Sequence, residues 1–301
     1  MKDIIDKQTK ESYYNFLEAN KKFEDQIIKD LISTYEPLKK LIRSFDKAQE
    51  ASLKLLIAQI QKIQIPKIEI PKINIDPLVL QRMDFLWTIY KMNWPLFIRS
   101  TDELEIKINE VRNNKETIDA QNEIEKLIYD YCGENLIRKI QLYWGKCKNI
   151  NEERQPILKE AIEMHLNEHY YSSTALLTCQ IYGIVNDIND NIKKNGQITT
   201  EEDKTYISRL LKIEPKSIDT EKGKLMQLLM VSDEGPLICE MIANYFLKEI
   251  LCSSESKERW KHQPVRNKIC HGIQLNFGTK EHSLKSILAI DILINLSNIL
   301  S

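Results

Sequence analysis

Arg266, Asn267 and His271 fall within the six residues "RNKICH". An arginine is a permanent cation whose planar fork of donors fits a phosphate. A histidine is the side chain whose ordinary titration lets it both take and give a proton near neutrality. An asparagine can orient a substrate or the histidine. Together they suit attack by a ribose 2′-hydroxyl on its own phosphodiester: a proton is removed, a proton is supplied, and charge on the phosphate oxygens is stabilised, with no metal required. Geometry adds a condition. On a regular helix a spacing of five places Arg266 and His271 roughly 140° apart, so they share a face only if the helix ends there. Gly272 is a natural residue for that ending. One arginine and one histidine make an incomplete acid–base site, and a second copy from a partner chain would complete it.

A rival constellation is "HLNEH", His165 to His169, which matches the H-x-x-E-H pattern of the inverzincin peptidases. Two histidines four apart on a helix could bind zinc, with Glu168 as base and Glu249 as a distant third ligand. Those peptidases are large α/β proteins with sheets, and no strand-rich half is found here. The plainer reading is two exposed histidines at a helix end. "EKGKL", 221–225, lacks the phosphate-loop pattern and receives no nucleotide role.

The elements that must position these residues read as helices. Only 8 glycines and 9 prolines punctuate 301 residues, and apolar residues recur at spacings of three, four and seven. The periodicity predicts helices over 8–36 and on to about Ile63, with a kink at Pro37. Residues 65–77, "IPKIEIPKINIDP", repeat IPKI[E/N]I with prolines that remove amide donors, so they predict an extended arm. Helix returns over 78–145, broken at Pro95, with one helix over Thr117 to Trp144. The aromatic and aliphatic residues Phe85, Leu86, Trp87, Tyr90, Trp94 and Phe97 are expected in its core. The second half predicts helices over 152–168, 171–193, 201–212 (Thr199–Glu202 as capping box) and 236–252, the last opened by Pro236. Residues 213–232 read as a polar, broken surface insertion. The final helix, about 280–299, follows Thr279 as N-cap. It is apolar on more than one side, which predicts burial on several sides and favours a homodimer. The expected organisation is an N-terminal helical region, 1–150, with a sensing, regulatory or dimerising role, and a compact helical domain, 151–301.

The net charge is −1, so global charge selects no partner. The segment 257–285, however, holds seven Lys/Arg and two Glu, including Lys257, Arg259, Lys261, Lys268, Lys280 and Lys285. A local excess of basic residues is the expected footprint of a polyanion site, and Lys257, Arg259, Lys261, Lys268 and Lys280 are its candidate RNA contacts. The alternative is a solvated charged face. Six cysteines without a CxxC pair favour buried free thiols in a reducing cytosol. "MKDIIDKQTK" has no apolar h-region, and no run of 18 apolar residues occurs, so neither a secretory leader nor a membrane span is expected. No cofactor or metal is called for.

Arg266 to His271 matches the R-x4-6-H signature of HEPN domains, with polar Asn267 directly after the arginine. "QIYGIVND", 180–187, resembles the second-helix segment of bacterial HEPN proteins, with Tyr182 where an acidic residue is often found. "HGIQLNFGTKEHSLKSILAIDILINL" resembles the end of such domains. The resemblance covers about 150–301. It implies an all-α, four- or five-helix HEPN-like bundle that dimerises so that two motifs face each other. It implies a metal-independent endoribonuclease acting as a toxin or phage-defence effector in the cytoplasm, or an inactive relative that binds RNA, nucleotide or a regulatory protein. The toxins paired with nucleotidyltransferase antitoxins carry a tyrosine two residues after the histidine. That position is Ile273 here, so that pairing is not expected. Asp187 and Glu163 are the alternative sources of an acid.

Overall fold

The computed structural model describes residues 77–114, 117–195, 205, 220–232, 236–252 and 257–297. The helices expected over 8–36 and up to Ile63, the Ile/Pro-rich arm and the helix over 201–212 lie outside the described residues, except for Thr205, which is helical. The chain falls into two compact units that meet in sequence between Leu80 and Gln81.

The described residues are all-α, with no β-strand among them. In chain order they form α1 (Pro77–Lys91), α2 (Asp102–Asn114), α3 (Thr117–Tyr131), α4 (Glu134–Trp144), α5 (Arg154–Leu166), α6 (Tyr170–Lys194), α7 (Glu221–Val231), α8 (Pro236–Tyr245), α9 (Lys257–Trp260), α10 (Arg266–Cys270) and α11 (Lys280–Ser297). A π-helical turn, Phe246–Ile250, extends α8. Among the described residues no helix is long and apolar enough to cross a membrane.

The single helix expected from Thr117 to Trp144 is two helices. The backbone turns extended at Gly133 (φ −67°, ψ 177°), which caps α4. Residues 213–232 are not all surface insertion. Thr220 caps α7 by accepting a hydrogen bond from Gly223 N, and Leu225, Leu228 and Leu229 bury the face so formed. Of the aromatic stripe, Phe85, Leu86, Trp94 and Phe97 are buried as expected. Trp87 is 48 % exposed and stacks on Tyr90 instead.

No boundary falls at residue 150. One core of buried side chains runs from Phe85 through Trp144, Leu177 and Leu228 to Leu296. Polar bolts cross the expected divide as well: Asn149 Nδ2 donates to Ser297 O at 2.7 Å, and Trp144 Nε1 donates to Asp291 Oδ1 at 2.9 Å.

At the centre lies α11. Fifteen of its eighteen residues are buried, because α4, α5, α6 and α7 all pack on it. Fully burying a Leu or Ile side chain contributes roughly 1.5–3 kcal/mol, and α11 buries Leu284, Ile287, Leu288, Ile290, Leu293 and Ile294 almost completely. The all-round apolar surface of this helix is therefore covered within its own chain. It needs no second copy, so this argument for a homodimer falls away. The polar residues that α11 buries are each bonded. Lys285 donates to His262 O and to Glu281 Oε1 at 2.9 and 2.8 Å, and Asp291 is held by Arg99 and Trp144.

Candidate functional site

α10 has only five residues, and its end is set by the backbone. Gly272 takes φ +68°, the left-handed conformation that glycine adopts at least cost. Gly272 N then bonds Ile269 O at 2.9 Å and Ile273 N bonds Lys268 O at 2.7 Å, the paired bonds of a Schellman ending. His271 is the C-cap residue. The expected helix ending at Gly272 is thus observed.

Gln274 fastens this turn to the segment before it. Its Oε1 accepts from Val265 N at 3.0 Å, while its Nε2 donates to Trp260 O and Gln263 O at 2.9 and 3.0 Å. Gln263 is itself anchored, donating to Asn93 O at 3.0 Å and accepting from Tyr245 Oη at 3.2 Å. Gln274→Leu strips these partners at once and leaves buried backbone groups unpaired, at about 2–3 kcal/mol. Hydrogen exchange should accelerate at the amides of 260–274 and much less in α5. Equal protection in variant and parent would remove Gln274 from this role.

Arg266 turns inward. Its Nη1 donates to Asn267 Oδ1 at 2.6 Å and lies 3.5 Å from Glu221 Oε2. The ring of Tyr182 sits 5.9 Å from its guanidinium carbon. Arg266 Nε and Glu221 Oε1 are buried without hydrogen-bond partners. Burial pushes the Glu221 carboxyl above its usual range, against the pull of Arg266 and Lys222. His271 is exposed, and no hydrogen bond or ion pair joins it to Arg266 among the described residues. Arg266 thus opens α10 and His271 caps its end.

The acid beside the arginine is Glu221, a residue that sequence reasoning missed. The two alternatives are occupied elsewhere. Asp187 Oδ2 accepts from Arg154 Nε at 2.6 Å, and Glu163 pairs with Arg138. The "QIYGIVND" segment serves α5 on one side: Gln180 and Asp187 bond Arg154, whose guanidinium lies against Gly183 where a Cβ would collide. On another side its Tyr182 faces Arg266.

The basic residues are unequal. Arg259 pairs with Glu249 at 3.2 Å and Lys261 with Glu258 at 2.7 Å. The Lys268 ammonium lies 5.9 Å from the Trp260 ring and that of Lys280 5.5 Å from the Tyr129 ring. Lys257 and Lys280 are exposed. Lys285, counted in the local excess, is buried and paired with Glu281, so it adds nothing to the surface charge.

The histidines of "HLNEH" do not share a helix face. α5 stops at Leu166, Glu168 adopts φ +62°, and His169 becomes the residue that caps α6. No cluster of three or more His, Cys, Asp or Glu suited to a metal occurs among the described residues. His165 is buried rather than exposed. Its Nδ1 lies 2.7 Å from Ser283 Oγ, which donates onward to Ser173 Oγ at 2.9 Å, so the Nδ1–H tautomer donates. Burial, assisted by Lys280, pushes its pKa down to about 4 from 6.5. The folded state therefore resists a proton that the unfolded state accepts, and stability falls as pH drops from about 6.5 to about 4. The full loss is about 3 kcal/mol. Urea titrations at pH 7 and pH 4.5 should show most of it, and His165→Gln should flatten the slope. An unchanged slope in that variant would assign the effect to other groups.

No protein-family model, curated protein or solved structure matches this chain.

Proposed function

We propose that the chain is a metal-independent endoribonuclease of HEPN type, in which Arg266, Asn267 and His271 act on RNA and a second copy supplies a second His271. The observation that carries this reading is the ending of α10. A Schellman turn holds His271 exposed, its imidazole without a partner among the described residues, directly after a helix whose first residues, Arg266 and Asn267, are bonded to each other. Exposed Ile273 and Leu275, at 50 % and 73 %, follow the histidine in sequence and give a second copy an apolar surface to cover.

One His271 takes the proton of the ribose 2′-hydroxyl as that oxygen attacks phosphorus. The other gives a proton to the 5′-oxygen as its bond to phosphorus breaks. Arg266 stabilises the charge on the equatorial oxygens, and Asn267, which accepts from it, fixes the fork. Glu221 holds the arginine from behind. Lys257, Lys261, Lys268 and Lys280 meet flanking phosphates, with Arg259 tied to Glu249. The products carry a 2′,3′-cyclic phosphate and a 5′-hydroxyl. The biological setting that fits is a cytoplasmic toxin or phage-defence effector under the control of a regulatory protein.

A second reading, a HEPN-like module that binds RNA, nucleotide or protein without cleaving, draws on the inward turn of Arg266, whose Nε is buried. Incubation of the chain with RNA in excess EDTA separates the two. Cyclic-phosphate ends favour the ribonuclease. Retention of RNA with no cleavage favours the binding module.

A further inference from the structure

Cys179 of α6 and Cys270 of α10 are 91 residues apart in sequence, yet their sulfurs are 3.3 Å apart. Both residues are exposed, whereas Cys132, Cys147 and Cys252 are buried. The expectation of buried thiols fails for this pair. A disulfide is about 2.05 Å long, so the sulfurs need to close by only about 1.3 Å, within reach of side-chain rotation and a small shift of a five-residue helix. Exposure supplies the other requirement, since a small oxidant must touch one sulfur first.

We propose that Cys179 and Cys270 form a reversible disulfide with a low-molecular-weight disulfide such as oxidised glutathione as the electron acceptor. The Cys179 thiolate attacks one glutathione sulfur, the glutathione S–S bond breaks, and one glutathione leaves as thiolate. Cys270 then loses its proton to solvent and attacks the Cys179 sulfur, releasing the second glutathione. The protein gives up two electrons and two protons, and one glutathione disulfide becomes two thiols. Partial burial and the hydrogen bond with Cys179 push the Cys270 thiol up to about 11.

The bond ties α10 to α6, the helix whose Tyr182 stands beside Arg266. It also draws on the last turn of α10, directly before His271. Misplacement by about 1 Å can lower a rate roughly 10²-fold. The oxidised chain therefore loses RNA cleavage by tenfold or more and regains it with dithiothreitol, a consequence that rests on the ribonuclease reading. The disulfide itself does not.

The test is incubation of the full chain with oxidised glutathione at pH 8, followed by alkylation, proteolysis and mass spectrometry. A peptide linking Cys179 to Cys270 is expected in the wild type. In Cys270→Ser, glutathione should remain on Cys179. The linked chain should also unfold at a temperature higher by about 5–10 °C. Separate glutathione adducts on both residues without a link, or a link to a different cysteine, would overturn the proposal. A link formed in a chain that cleaves no RNA would leave the disulfide standing and count against the ribonuclease.

Discussion

His271→Ala is expected to lower RNA cleavage by roughly 10²–10⁴-fold, the range for loss of a positioned general acid or base. Thermal stability should hardly move. The imidazole is exposed and has no side-chain partner among the described residues, and the turn that follows it is made by backbone bonds to Lys268 and Ile269. That separation of activity from stability makes His271 the cleaner probe of the pair. Arg266→Ala should also remove roughly 10²–10³-fold of activity, but it strips Glu221 of its cation and so disturbs the fold as well. Single-turnover cleavage of a labelled RNA, read beside a thermal melt, checks both variants. Cleavage by His271→Ala at the parental rate would end the proposed chemistry.

The largest expected loss of stability comes from Arg99→Ala, at about 3–5 kcal/mol. Asp291 is 1 % exposed in the middle of α11. Arg99 reaches it with Nε at 2.7 Å and Nη2 at 3.2 Å, while its guanidinium covers the Tyr143 ring at 4.3 Å. Without the arginine, Asp291 keeps only uncharged side-chain donors, the Trp144 indole and the Asn295 amide, and a buried carboxylate is left without a cation. Replacing both partners, as in Arg99→Met with Asp291→Leu, removes the stranded charge and should recover much of the loss. Urea denaturation of the two variants decides it. A cost below about 1 kcal/mol for Arg99→Ala would class the pair with exposed ion pairs.

Helical periodicity made much of this architecture legible. Arg154–Leu166, Tyr170–Lys194 and Lys280–Ser297 sit within two or three residues of their expected spans, because each carries a long apolar stripe with few breakers. α7 was lost although Leu225, Leu228 and Leu229 already had helical spacing. Gly223 and the polar stretch before it masked a helix whose burial depends on α6 and α11. The ending of α10 was readable because Gly272 acts locally. The partner of Arg266 was not, because Glu221 lies 45 residues away in a segment with no motif. "HLNEH" misled as well. The i,i+4 argument assumes that the helix continues, and here it stops at Leu166, with Glu168 turning into the left-handed region.

The enclosure of α11 bears on how the chain leaves the ribosome. Everything before Lys280 emerges first, already carrying Arg266, Asn267 and His271, but the helix that fills the space between α4, α5, α6 and α7 has yet to follow. Until it does, the inner faces of those helices are uncovered, and His282, which bonds Trp260 O at 2.9 Å, is missing from the scaffold around the motif. A nascent chain halted before Lys280 thus holds every residue of the motif and none of the helix that organises its surroundings. The motif is translated before the core around it can close, and its surroundings are complete only when α11 docks.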